Sequence, residues 1–265
     1  MTGITAHEQR VVSALRGTRL ERTLLRDGDG REDVTSAVTW LQGHALYCDL
    51  RRPEGFVPPT ARCLDEMTLD DLHLLARQEA FAGRLAEHPD HVEWIRDVDL
   101  HPAVAPDAGT LEHLDVDTVL ERGFHADYIE EWRVDSTGPV TEFLLADADA
   151  DADTESPRAV LLRAGRNFGY ARPRSTALPA RASLSALLDA SVTVAEARSL
   201  LDCEVSLGIV GDDRWTITRS TLPFREGTDL AVVVDGTEVT TSDIEPSGRP
   251  ATRRWRVARP RRSIA

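Results

Sequence analysis

Apolar and polar residues alternate with period two through much of this chain. In HADYIEEWRV (125–134) the positions Tyr128, Glu130, Trp132 and Val134 fall on one face if the segment is a strand. Three of these four side chains favour burial, which leaves a carboxylate between two aromatic rings. Similar runs recur as SAVTWLQGHALYCDLRRP (36–53), FAGRLAEHPDHVEWIRDVDLHP (81–102), RAVLLRAGRNFGYARPR (158–174) and CEVSLGIVGDDRWTITRSTLP (203–223). Gly43-His44 and Ala164-Gly165 sit where tight hairpin turns belong. Period 3.6 appears over residues 4–25, which read as an amphipathic N-terminal helix. It appears again after Thr68 and Thr193, each followed three residues on by an acid (Asp71, Glu196), the mark of a capping box.

The pattern repeats. A shift of 121 residues lays Trp94 on Trp215, Pro102 on Pro223, Ala76-Arg77 on Ala197-Arg198, Arg51 on Arg172 and Tyr47 on Phe168. A further slip of two residues lays EEWRV (130–134) on RRWRV (253–257). A period this long denotes a duplicated domain, since solenoid repeats are far shorter. Many short strands with one helix per copy predict a mainly β protein. It has two tandem antiparallel β-barrels related by internal duplication, each with a short helix, plus the N-terminal helix. The expected boundaries are 1–30 for the helical region, 31–145 for the first barrel unit, 146–157 for an acidic loop, 158–258 for the second unit and 259–265 for a basic tail.

Composition narrows the partners. The net charge of −14 disfavours nucleic acid. Residues 249–265 hold only basic charges, and the register makes Trp255-Arg256-Val257 the last strand of the second unit. All 31 basic residues are arginine. No apolar run is long enough to span a bilayer, so no membrane partner and a cytoplasmic location are expected. Cys48, Cys63 and Cys203 lack CxxC spacing, which argues against a disulfide framework or a zinc site. HPDH (88–91) lacks metal-site spacing. DGDGREDVTSAV (27–38) lacks the glycine and glutamate that a calcium loop needs. No phosphate-cradling or nucleophile motif occurs, and no cofactor or metal is expected.

The segments WLQGHALYCDLRRP, FAGRL, VEWIRDVDLHP, PDAGTL, ERGFHADYIEEW and STLPFREG resemble a group of uncharacterised bacterial proteins. That group is similar to a fungal two-barrel calycin family of casein-kinase-interacting proteins. The resemblance covers residues 31–257 and implies two lipocalin-like or fatty-acid-binding-protein-like barrels. It supplies no catalytic residues.

Inward polar residues mark the candidate site, because barrel interiors are ordinarily apolar. Three faces of the first unit pair aromatic with ionisable groups: Tyr128-Glu130-Trp132, Trp94-Arg96-Val98 and Tyr47-Asp49-Arg51. Arg96 and Arg51 are the expected partners of Glu130 and Asp49. The second unit has Arg253, Tyr170 and Ile217 where the first has Glu130, Asp49 and Arg96. Its acidic constellation is therefore expected to be absent, and Arg219 faces inward if the Trp215 register holds.

These residues predict a first-barrel pocket for a small, partly apolar molecule. Tyr47, Arg51, Trp94, Arg96, Tyr128 and Trp132 would bind it, beside Glu130 and Asp49. Two alternatives use the same residues differently. One is a cofactor-independent isomerase, cyclase, hydratase or lyase with Glu130 or Asp49 as acid/base. The other is a scaffold with filled barrels that binds a protein partner.

Overall fold

The computed structural model describes residues 8–101, 105–149, 158–175, 177–179, 182–212 and 214–258. The chain runs α1 (Glu8–Leu15), β1 (Thr18–Asp27), β2 (Glu32–Asp33), β3 (Ala37–Gln42), β4 (Leu46–Arg52), α2 (Leu69–Leu75), β5 (Glu79–Glu87), β6 (Val92–Asp99), β7 (Ala108–His113), β8 (Thr118–Gly123) and β9 (Tyr128–Thr137). It continues as β10 (Val140–Asp147), β11 (Arg158–Ala164), β12 (Asn167–Arg172), α3 (Leu184–Asp189), α4 (Val194–Leu201), β13 (Glu204–Val210), β14 (Trp215–Ser220), β15 (Val232–Asp235), β16 (Glu238–Ile244) and β17 (Pro250–Val257). Both capping boxes form, at Thr68/Asp71 and Thr193/Glu196.

The first sheet is an antiparallel barrel in the order β1-β3-β4-β5-β6-β7-β8-β9. It closes where β1 pairs with β9, while β2 adds at one edge. Closure pairs the two ends of the eight-strand meander with one another and leaves only the two-residue β2 as an edge. The second sheet repeats the meander as β14-β13-β12-β11-β10-β17-β16-β15. It curls without a closing ladder. Backbone bonds from β14 to residues 227–230, just ahead of β15, draw its two edges together.

Equivalent positions hold equivalent places. Val119 lies opposite Trp132 in the first barrel, and Val239 lies opposite Trp255 in the second. The β5–β6 and β13–β14 ladders each carry a β-bulge, beside Gly83 and Gly208. A Cβ on Gly83 would sit 2.0 Å from the Ile95 carbonyl oxygen, and one on Gly208 would sit 2.3 Å from that of Thr216.

The structure moves two boundaries. The helix expected over residues 4–25 is α1 alone within the described residues. From Thr18 the chain is a barrel strand, so the first barrel begins there and not at residue 31. Strand β10, assigned by sequence to the first unit, pairs with β11 and β17 in the second sheet. The units therefore meet at the turn after β9. Residues 150–157 of the expected acidic loop and the basic tail 259–265 lie outside the described residues.

Three apolar clusters hold the molecule together. One fills the first barrel, where Val11, Val12 and Leu15 of α1 stop one end above Leu20, Trp40, Trp94 and Trp132. Another fills the second barrel around Leu161, Phe168, Tyr170, Val239 and Trp255. The largest lies between the barrels and joins Leu41, Cys48, Leu50, Leu72 and Leu75 to Val160, Leu162, Leu184, Leu201 and Val205. Outward strand positions, which usually meet water, are buried here. Each full-size apolar side chain so covered contributes about 2 kcal/mol. Polar tethers border this core. The Glu142 carboxylate on β10 accepts from the amides of His44, Ala45 and Leu46 in the β3–β4 turn. Arg52 donates to the Ser220 carbonyl at 2.6 Å and pairs with Glu226.

Candidate functional site

The interior of the first barrel has two halves. Trp40 packs edge-on against Trp94 and Trp132 at 5.6 and 5.5 Å, and these rings fill the half beneath α1. Charge collects in the other half.

Strand alternation places Tyr47, Asp49 and Arg51 of β4, and Tyr128, Glu130 and Trp132 of β9, on the inner wall. Trp94 and Arg96 also face inward. Val98 does not: the bulge at Gly83 turns it outward into the core between the barrels, which corrects the expectation that it shares the Trp94 face.

Glu130, 2% exposed, forms ion pairs with Arg22 at 2.6 Å and Arg51 at 3.2 Å. Arg51 also reaches Asp49 at 2.9 Å. Arg96 does not join them. It pairs with Asp99 at 3.0 Å and Asp107 at 2.7 Å, so its expected role as a partner of Glu130 or Asp49 is not seen. Phe81 lies amid the arginines, with the Arg96 guanidinium 3.7 Å from its ring centroid and that of Arg51 at 5.1 Å. Tyr47 meets the same ring at 6.1 Å.

Glu121, like Arg22, is a site residue that sequence reasoning missed. It stands on β8 directly opposite Glu130 and accepts from the Tyr128 hydroxyl at 2.8 Å and from Trp132 Nε1 at 3.0 Å. Gly123 leaves the space for the Tyr128 ring, since a Cβ there would lie 2.4 Å from Cε1. Burial, and then the neighbouring Glu130 carboxylate, push the Glu121 pKa up to about 8. Burial likewise lifts Asp49 to about 6, against the pull of Arg51. Burial also works to raise Asp33, at the rim beside Arg22, but hydrogen bonds from Ser36 and Thr35 hold it well below the usual carboxylate range.

Three buried polar atoms of this half have no hydrogen-bond partner among the described residues: Tyr47 Oη, Arg96 Nε and Glu130 Oε2. Such orphans are costly, about 1–3 kcal/mol each for neutral groups and more for charged ones.

The second barrel holds carboxylates at its centre as well, which corrects the expectation that it lacks an acidic constellation. Glu204 pairs with Arg225 at 3.0 Å, and Asp243 pairs with Arg172 at 3.2 Å and with Arg253. Here too atoms are left over: Arg172 Nε and Glu204 Oε2, 3.6 Å apart, have no hydrogen-bond partner among the described residues. Tyr170 and Trp255 Nε1 both meet Thr241 Oγ1, at 3.1 and 3.0 Å. Arg219 does not face this interior. The bulge at Gly208 sets it opposite Leu207, on the outer wall beside the first barrel.

These features define a two-barrel β protein with a polar, aromatic-walled interior in its first barrel. The chain matches no known protein family and no curated protein.

Proposed function

We propose that the polar half of the first barrel binds a small, partly apolar molecule. The observation that carries this reading is the trio of orphaned buried atoms on Tyr47, Arg96 and Glu130 beside the Phe81 ring. Sites of this kind combine aromatic walls with a few fixed polar groups. A ligand with a donor for Glu130, acceptors for Arg96 and the Tyr47 hydroxyl, and a flat apolar body would satisfy all three. The tryptophan-filled half confines it to the polar half, so Trp132 forms its floor and Trp94 supports that floor from behind. Kinship with the fungal two-barrel calycin family belongs to this proposal, and the tandem-barrel fold supports it.

Native mass spectrometry of the purified protein, followed by a fragment screen, tests the reading. Tyr47→Phe is expected to stabilise the free protein by about 1 kcal/mol, because it removes an unsatisfied hydroxyl. The same variant weakens retention of the ligand. A protein that retains nothing, and whose fragment hits ignore Tyr47→Phe and Glu130→Gln, refutes the proposal.

A second reading rests on Glu121. Two carboxyl groups face one another, and burial favours the protonated form of one of them, as acid/base chemistry near neutral pH requires. On this reading the site is that of a cofactor-independent isomerase, cyclase, hydratase or lyase. Glu121 and Glu130, with Asp49 behind them, exchange the proton. Glu121→Gln then abolishes turnover while leaving ligand affinity within a few-fold.

A further inference from the structure

The geometry points to a second binding site, in the cleft between the two barrels, that takes a small monocarboxylate with an apolar body. The cleft has a volume of about 230 Å³ and is open to solvent on one side. A dry cavity of about 150 Å³ accommodates benzene, so this one suits a molecule of roughly ten non-hydrogen atoms. Its walls are Leu41 of the first barrel and Phe168, Leu207 and Ile209 of the second. Ile209 is 44% exposed, an unusual state for an isoleucine in a central strand.

Arg219 supplies the recognition. Its Nη1 donates to Thr39 Oγ1 at 3.2 Å and to the Ala37 carbonyl at 3.4 Å, both long. Among the described residues no carboxylate lies within ion-pair distance of it. The surrounding charges are already engaged: Arg19 holds Glu21 and Asp135, and Arg52 holds Glu226. Arg174, another arginine on the second unit's face toward the first, spends its guanidinium on the carbonyls of Leu200, Asp99 and Leu100. Arg219 has only its two long bonds, both from Nη1. Burial, then the nearby Arg52, lowers its pKa, the direction expected of a cation short of a counter-ion.

The guanidinium fork matches a carboxylate in two parallel hydrogen bonds. Asp135, which also lines the cleft, repels a second negative charge on the ligand and so disfavours a dianion. The apolar walls take the body of the ligand.

The test uses 3-phenylpropionate and its neutral amide, titrated into the full chain by calorimetry and followed by amide NMR. The acid is expected to bind saturably and to shift Gly208 and Ile209. The amide, and the acid with Arg219→Met, are expected to bind roughly tenfold or more weakly. Tyr47→Phe in the first barrel leaves this affinity unchanged, which separates the cleft from the site proposed above. Equal binding of acid and amide, indifference to Arg219→Met, or no saturable binding overturns the inference. Should Arg219→Met fail to fold, Ile209→Trp fills the cleft and is expected to abolish binding, and retained binding in that variant also overturns the inference.

Discussion

Glu121 and Glu130 stand directly opposite one another on neighbouring strands yet are held by different kinds of partner. Glu121 is gripped by the neutral donors of Tyr128 and Trp132, whereas Glu130 sits between the guanidinium groups of Arg22 and Arg51. Like charges placed so are destabilising. The barrel tolerates the pair because burial keeps a proton on Glu121 at neutral pH.

That arrangement fixes a pH dependence. The unfolded chain releases the Glu121 proton near its ordinary pKa of about 4.5, while the folded chain holds it to about 8. Between those values the folded state binds more protons, so this group's contribution to stability falls as pH rises and levels off above about 8. Glu121→Gln removes the loss. At pH 9 it is expected to be more stable than the parent by a few kcal/mol, and at pH 4 nearly equal. Urea denaturation across this range measures the difference, and parallel curves refute the assignment.

Glu130 is a counter-ion for two arginines, the buried Arg22 and the partly buried Arg51. Glu130→Ala leaves both guanidiniums short of charge and is expected to cost about 3 kcal/mol. Glu130→Gln, which keeps an acceptor oxygen, costs less. A loss below about 1 kcal/mol for the alanine variant shows that Asp33 and Asp49 suffice for Arg22 and Arg51.

The paired bulges predict paired failures. Gly83→Ala and Gly208→Ala each thrust a methyl group into a backbone carbonyl and are expected to destabilise by about 1–3 kcal/mol. Gly211, whose nearest neighbour to an added Cβ is 3.8 Å away, is the control and changes little on the same substitution. Equal effects at the three positions contradict the geometry.

All three cysteines are free and buried. Burial pushes the Cys203 thiol up to about 11 and that of Cys48 further still, so neither supplies thiolate at pH 8. Native protein is expected to resist thiol reagents, and all three residues react at once in denaturant. Prompt labelling of Cys48 or Cys203 in the native state shows that the core between the barrels opens.

Much of this was legible in the sequence. Trp94 and Trp215, and Trp132 and Trp255, revealed the duplication because a buried ring in a fixed register is hard to replace. The inward faces of β4 and β9 followed from parity alone. Strand β1 was hidden because Leu20, Leu24 and Leu25 are spaced as on a helix, and a bulge at Thr23 breaks their alternation. Arg22 was lost with it. Val98 and Arg219 were assigned to the wrong faces for the same reason, since one extra residue reverses every side chain beyond a bulge. Glu121 had a usable signal. Folding VLERGFHADYIEEW as a hairpin about residues 124–127 sets it across from Glu130, but Leu120-Glu121-Arg122 looks like an ordinary solvated strand.

The seam that shuts the first barrel pairs Thr18 with Thr137. Emerging from the ribosome, strands β1 to β8 therefore form an open sheet whose outer edges await β9, and the tryptophan interior stays wet until then. The second sheet waits longer still, because β10 must hold its place for β17 near the carboxyl end. A nascent chain of this design is most exposed to wrong pairing just before each last strand is made, and slow synthesis at those two points is when a chaperone would matter most.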